Sequence, residues 1–585
     1  MTKNHSFRIA SILILFALLF SNCKSDVAAS QDEIRVRLAA EPDRLSLILT
    51  GSGYAEQVLN YLFLSLQQFE PENLNLKPVL IKQRPEVKEI TEGAFKGGLS
   101  YTFELLEEAS WDNGTPVLAS DFLFTMKVIW TPHVQSPARN DYGFLGDIII
   151  DENNPRRFTV YTNKTYFHAE AALSYIPIYP EYNYDPDSLL RNFSLTEIMA
   201  NQQSEDERLK RFADQFNSAP YSHDPALIKG CGPYSVAVWD KEQQIVLERK
   251  ENWWGSRLGA KNDMLKANPS KISYKIIPDN TAAVTAMKDG QLDVISEIEP
   301  GSFVELRENE YVKEKFELHT PPYLSYSYIG LNTKRPKLAS REVRRALAHL
   351  IDMDQVIKSF LFGLGERTVG PIHPAKFGYH KGLKPIPFDL ETARRLLANA
   401  GWSDTNQDGV LDKKIDGQQV DLSLTAKYTS TNEVAGNIIS LLKESAEKVG
   451  VKIEPMGLEF KTLIQDYRRR DFDLLYASWS QMPGQEELRQ IWHTSSNTTR
   501  GFNRTGFGDA ASDAIIDALG TTLDEETRNQ LYLSIQARIY EDQNYIFLYA
   551  PLRRMAISRK FKGKTSARRP GFFVNQFEPG LINKN

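Results

Sequence analysis

Two hydrophobic periods interleave along nearly the whole chain, and this constrains the fold more than any other feature. Ile34-Arg35-Val36-Arg37-Leu38 and Tyr101-Thr102-Phe103-Glu104-Leu105 repeat every two residues, as half-buried strands do. Tyr234, Val236 and Val238 alternate, Asp240 to Gln244 are polar, and Ile245 and Leu247 resume, which predicts a hairpin. Asp112 to Pro116 are dense turn residues. The helix expected after them has Ser120 as its cap and Phe122, Met126, Ile129 and Trp130 on one face. Farther on, Val343, Ala346, Leu347, Leu350 and Ile351 fall at helical spacing. Asp352 with Gln355 forms a capping-box pattern for a second helix through Phe360. Asp389 caps a third, which carries Leu390, Ala393, Leu396, Leu397 and Ala400 on one face and ends at Gly401. Residues 433–448 predict a fourth, followed by a strand at Val451 to Ile453. Helices between strands predict an α/β fold in layers with partly parallel sheets.

The N-terminus reads as an export signal. Lys3, His5 and Arg8 precede an apolar run from Ile9 to Phe20. That run is too short for a bilayer core of about 30 Å, so residues 1–22 read as a secretory signal peptide. Cys23 follows at once, as the acylated Cys of a bacterial lipoprotein does, and residues 23–31 read as a tether. The expectation is an exported periplasmic or cell-surface lipoprotein, membrane-bound through lipid on Cys23; the alternative is a cleaved signal with an incidental Cys. The remaining ~560 residues exceed one hydrophobic core, so two or three domains are expected.

Composition narrows the chemistry. The net charge of −5 argues against nucleic acid. Only two Cys occur, so with Cys23 acylated no intrachain disulfide is possible, and Cys231 between two glycines is expected to be a buried small residue. Arg559, Lys560, Lys562, Lys564, Arg568 and Arg569 read as a solvated surface, with a docking patch as the alternative. Zinc, nucleophile-elbow, phosphate-loop and Cys-x-x-Cys patterns are absent, and the nine His are scattered, so no enzyme and no cofactor is expected. Asp404, Asn406, Asp408 and Asp412 match the first ligand positions of a calcium loop with Gly409 in place, but Ile415 stands where the bidentate Glu belongs. An Asp/Asn/Gly turn and a structural calcium site both remain open there.

Several short motifs occur in a familiar order. They include Leu38 to Leu45, Leu99 to Phe103, Ala109 to Pro116 and Gly230-Cys231-Gly232-Pro233-Tyr234. Asn252-Trp253-Trp254-Gly255, Ile277-Pro278-Asp279 through Asp293, Ile329 to Thr333 and Val343 to Asp352 follow. In this order they resemble the oligopeptide- and dipeptide-type solute-binding proteins of ABC importers over essentially the whole mature chain. The resemblance implies a three-domain periplasmic-binding-protein fold, two lobes closing about a hinge with an extra domain. Domain I would comprise 32–55, 206–300 and 546–585, domain II 56–205, and domain III 301–545. It also implies a monomer that captures a small solute, a peptide by family, and delivers it to a permease and ATPase.

The resemblance implies site residues as well, with one departure. Peptide-binding members hold the peptide ammonium with an Asp in a segment like "GW-x-x-D"; here Trp479-Ser480-Gln481-Met482 puts a thioether at that position. Glu486 and Glu487 either compensate or form an exposed pair of helix carboxylates. Arg468 to Arg470 read as a solvated helix end rather than an anion clamp. Trp479, Gln481 and Met482, with Tyr323, Tyr326 and Tyr328, are the candidate ligand contacts, Trp479 and the tyrosines having core packing as the alternative. A non-peptide solute, or a surface sensing or interaction protein uncoupled from import, is the rival function.

Overall fold

The computed structural model describes residues 32–580; the signal, Cys23 and the tether lie outside the described residues. The alternating segment Glu33–Leu38 becomes the middle strand of a seven-stranded sheet. It runs parallel to Lys271–Ile276 on one side and to Val294–Ile295 on the other. The Tyr234–Asp240 and Gln244–Arg249 hairpin extends one edge, with a register shift between Val236 and Val238. Two antiparallel strands, Met555–Ser558 and Phe316–His319, extend the other. Arg35 ties the parallel strands together. Its Nε and Nη2 donate to the two oxygens of the buried Asp293 carboxylate at 2.8 and 2.9 Å, a bidentate geometry that fixes register as well as charge.

A four-stranded antiparallel sheet, Glu86–Glu89, Leu99–Glu104, Asn154–Thr162 and Leu145–Asp151, packs against the helix Ala119–Trp130. Stacked Phe103, Phe122 and Phe158 join them. Ser120 does not cap this helix, which begins one residue earlier. Asp121 sets its start by accepting from the Leu118 N–H at 2.9 Å and the Trp111 indole at 3.1 Å.

The remaining large sheet has six strands in the order Gly365–Arg367, Tyr545–Pro551, Ser325–Leu331, Leu474–Ser480, Ser423–Thr429 and Lys452–Leu458. Its last three strands are parallel neighbours, as the helix–strand alternation predicts. The helices fall where the periodicity puts them: Arg341–Ala348, Met353–Ser359, Leu390–Asn399 and Glu433–Glu447. Asp352 and Asp389 each accept from the backbone three residues on. Sheet membership moves two chain crossings away from their expected places. Phe316–His319, numbered within the expected domain III of 301–545, lies in the seven-stranded sheet, and Tyr545–Pro551, numbered almost wholly within the expected domain I, lies in the six-stranded one.

The motif Gly230-Cys231-Gly232 is a backbone crossing. A Cβ on Gly230 would stand 2.2 Å from the Leu62 carbonyl oxygen, and one on Gly232 2.5 Å from that of Tyr61. The indoles of Trp253 and Trp254 both donate to the Cys231 carbonyl, at 2.8 and 3.0 Å. Asn332 does similar work in the other half, donating to the Arg470 and Phe472 carbonyls. These motifs hold the frame. Cys231 is fully buried, and burial pushes its thiol up to about 12. Among the described residues no helix is long and apolar enough to cross a membrane.

Candidate functional site

A cleft of about 470 Å³ lies where the two halves of the chain meet, within the size range of small-solute sites. One wall is built by residues 47–69 and 138–177, the other by Met482, Pro483 and Glu487. Its faces are aromatic. Phe69 and Tyr175 pack with centroids 5.4 Å apart, and a second run links Tyr142, Phe144, Tyr166, Phe167 and His168. The helix Ala169–Tyr175 carries the first wall, and Gln67 fixes it by donating to Ser174 and Glu170 at 2.8 and 3.0 Å. Tyr175 donates to Glu56 at 2.8 Å.

The second wall is a loop pinned from beneath. The Gln481 amide donates to the Pro371 carbonyl at 2.7 Å and accepts from the His373 N–H at 2.9 Å. The Lys376 ammonium donates to the Met482 carbonyl at 2.6 Å and pairs with Glu486. Lys376 and Glu486 side chains are 1% and 11% exposed, so each is the other's counter-charge in a dry setting. Burial pushes the ammonium down and the carboxyl up, and their pairing opposes both shifts.

The two walls touch. The Phe167 N–H donates to the Gly520 carbonyl at 3.0 Å, and the Arg528 guanidinium lies 5.3 Å from the Phe167 ring. At Gly484, φ is +82° and an added Cβ would meet the Phe69 ring at 2.8 Å, so this contact requires glycine. Burial pushes His168 down to about 4, which keeps its imidazole neutral at pH 7. Burial also raises the carboxyls of Asp141 and Glu487.

Of the six expected ligand contacts, only Met482 lines this cleft, 57% exposed. Gln481 is buried and its amide is spent on the 371–373 backbone. Tyr326 and Tyr328 are sealed in an aromatic core, 0% and 2% exposed, because their strand is covered on both faces. Tyr323 is half-buried under the Arg553 guanidinium at 4.2 Å, and Trp479 packs edge-on against Phe502. Glu486 and Glu487 lie in a loop before the short helix Arg489–Trp492, so they are not an exposed helix pair. Arg568, expected in a solvated stretch, is 2% exposed behind Phe69, whose carbonyl it donates to at 2.8 Å. Arg468 and Arg469 do end a helix, in solvent.

The Asp404–Asp412 loop closes on itself. Asp404 accepts from the Asp408 and Gly409 N–H groups, the Asn406 amide donates to Asp408, and Asp412 is occupied by Thr405 and Gln419. This is turn chemistry, and the four side chains do not converge as a calcium ligand set. Among the described residues no group of three His, Cys, Asp or Glu is placed to hold a metal ion.

The cleft's first wall is absent from the sequence reading. Phe63, Phe69, Tyr142, Tyr166, Tyr175, Glu56 and Asp141 are scattered between residues 56 and 175 and show no local pattern. The one usable signal is the aromatic run Tyr166-Phe167-His168 just before a helix.

Comparison with known proteins agrees with this architecture. The family model described as "Bacterial extracellular solute-binding proteins, family 5 Middle" matches residues 88–499. The chain is 25% identical to the oligopeptide-binding protein AppA of Bacillus subtilis, over 96% of each chain. The structure of that protein with a nonapeptide superposes with a TM-score of 0.68 at 22% identity, covering 94% of this chain and 99% of that one. NikA from Brucella suis with Fe(III)-EDTA superposes with a TM-score of 0.72 at 19% identity, over 94% and 99%.

Proposed function

Since the chain belongs to the bacterial extracellular solute-binding proteins of family 5, we propose that it captures a small solute in the cleft between residues 47–177 and 482–487 and delivers it to an ABC-type permease. One observation carries the reading. The cleft is walled by two separately built parts of the chain that already touch at Phe167–Gly520 and Phe69–Gly484, so a solute between them favours the state in which the walls meet. The peptide class is supported by the oligopeptide-binding relative. A non-peptide solute is favoured by the engagement of Glu486 with Lys376, which leaves that carboxylate no room for a ligand ammonium.

Thermal unfolding of the purified protein with free tri- to pentapeptides, oligosaccharides and metal chelates tests the reading. A solute at 100 times its Kd adds about 2.7 kcal/mol. Ala171→Trp, which fills the cleft wall, abolishes the shift; a shift that survives it places the solute elsewhere. We further propose that Cys23 carries lipid and holds the protein at the outer face of a membrane. Cys23→Ser then moves it from the membrane to the soluble fraction, and retention on the membrane refutes the anchor. Co-purification with permease subunits separates import from a surface sensing role.

A further inference from the structure

Resting on the cleft as the solute site, we propose that it selects a solute with an apolar body and a positive charge, and that it turns anions away. The lining supplies both parts. Tyr166, Tyr175 and Met482 expose apolar surface, with Phe63, Phe69 and Tyr142 almost fully buried behind it, and aromatic faces also hold cations. Every formally charged side chain in the lining is a carboxylate: Glu56, Asp141 and Glu487.

The nearby cations are committed elsewhere. Lys376 is held by Glu486 and the Met482 carbonyl beneath the loop. Arg528 donates to the Thr522 and Leu523 carbonyls at 2.8 and 3.0 Å and to Gln485. Arg489 pairs with Asp517. Arg568 is sealed behind Phe69 and Tyr175 and outside the lining, with Nη1 on the Phe69 carbonyl and Nε and Nη2 without partners among the described residues. Lys164 stands in solvent, 6.0 Å from the Tyr166 ring and outside the lining. His168 also faces the cleft, and its buried Nε2 has no partner among the described residues.

A solute anion therefore meets three carboxylates with no cation in the lining to answer it. A solute cation meets Asp141 from one wall and, from the other, Glu487, whose Oε1 accepts from the Arg489 N–H at 2.9 Å while Oε2 has no hydrogen-bond donor among the described residues; Glu56 accepts from the Tyr175 hydroxyl. Glu487 is half-buried and Asp141 exposed, and a charge-assisted hydrogen bond to the half-buried carboxylate discriminates by about tenfold. Burial raises the carboxyls of Asp141 and Glu487, the latter against the pull of the Arg489 and Gln490 N–H groups and of the Arg489 and Lys164 charges, and a cation placed between the walls would favour the ionised form of both.

The test is titration calorimetry of the purified protein with two matched probe sets, each graded from two positive charges to two negative ones. One is a series of tetrapeptides sharing an aromatic body; the other pairs phenylalkyl amines with phenylalkyl carboxylates. The expected result is at least about tenfold tighter binding of the cationic members. In D141N/E487Q, with its unfolding midpoint checked, the ratio of cationic to anionic affinity collapses toward one. Equal or tighter binding of anions, lost in Ala171→Trp, overturns the charge selection and leaves the cleft reading standing. Binding that persists in Ala171→Trp, or no binding by any probe of either sign, overturns both.

Discussion

Two aromatic clusters in this molecule have nearly the same composition and opposite roles. Around the strand Ser325–Leu331, Tyr326, Tyr328, Trp492, Tyr532, Tyr545 and Phe547 are sealed. Tyr328 stacks on Tyr545 with centroids 3.9 Å apart and planes within 3°, and their hydroxyls meet that of Tyr467 at 3.4 and 3.3 Å. At the cleft, the half-buried Tyr166 and Tyr175 belong to a wall facing open volume, with Glu56, Asp141 and Glu487 beside them. The sealed rings pack on one another, with Tyr326 Oη and Trp492 Nε1 buried without a partner among the described residues, while the cleft rings share their space with carboxylates. What marks a site here is aromatic surface left beside unanswered charge, and aromatic density alone does not.

The largest effects should come from the sealed cluster and the loop anchor. Trp492→Ala is expected to cost about 4 kcal/mol in urea unfolding, the scale of a large cavity in a fixed core. Tyr166→Ala is expected to cost about 1 kcal/mol of stability and at least about tenfold in solute affinity. Similar unfolding costs for the two would break the comparison. Lys376→Met strands a buried carboxylate and is expected to cost about 3 kcal/mol, whereas Lys376→Met with Glu486→Leu recovers most of the loss. A double variant no more stable than the single would show that the pair is not a unit.

Smaller effects sharpen the account. His168 and His373 are both pushed down to about 4 by burial, so they are neutral when folded and protonated below about 6.5 when unfolded. The unfolded state then binds more protons. The stability these groups contribute is fully present above pH 6.5, falls as pH drops toward 4, and levels off below that. Between pH 7.5 and 5.5 the loss is about 1 kcal/mol per imidazole. His168→Phe should shrink this pH dependence by about half, and an unaltered profile would remove His168 from the account. The smallest effect concerns the 404–412 loop: millimolar calcium should change stability by less than about 0.5 kcal/mol, since the loop oxygens already accept from its own amides.

The frame was legible in the sequence where the local period carries it. Ile34 to Leu38, the Tyr234 hairpin and the helices capped by Asp352 and Asp389 all sit where their spacing puts them. The reading failed where burial is decided by other parts of the chain. Tyr326 and Tyr328 alternate like a one-sided strand, yet every residue from Ser325 to Leu331 is buried, because a central strand covered on both faces carries no periodic mark of it. Ser120 has the right chemistry for a cap, but Asp121 one residue later reaches the Leu118 N–H first. Met482, which lines the cleft, has a motif position that draws attention to it in the sequence. Asp141 and Tyr175 have no such mark, because only the tertiary fold brings residues 56, 141, 175 and 487 to one surface.

The central claim is that a solute binds between these walls. Amide hydrogen exchange on the purified protein, with and without a saturating solute, tests it most directly. The account predicts added protection concentrated in residues 138–177 and 482–487, with the sealed strand Ser325–Leu331 unchanged. Protection confined to other surfaces, such as the charged groove lined by Arg341, Asp509 and Arg538, would contradict it.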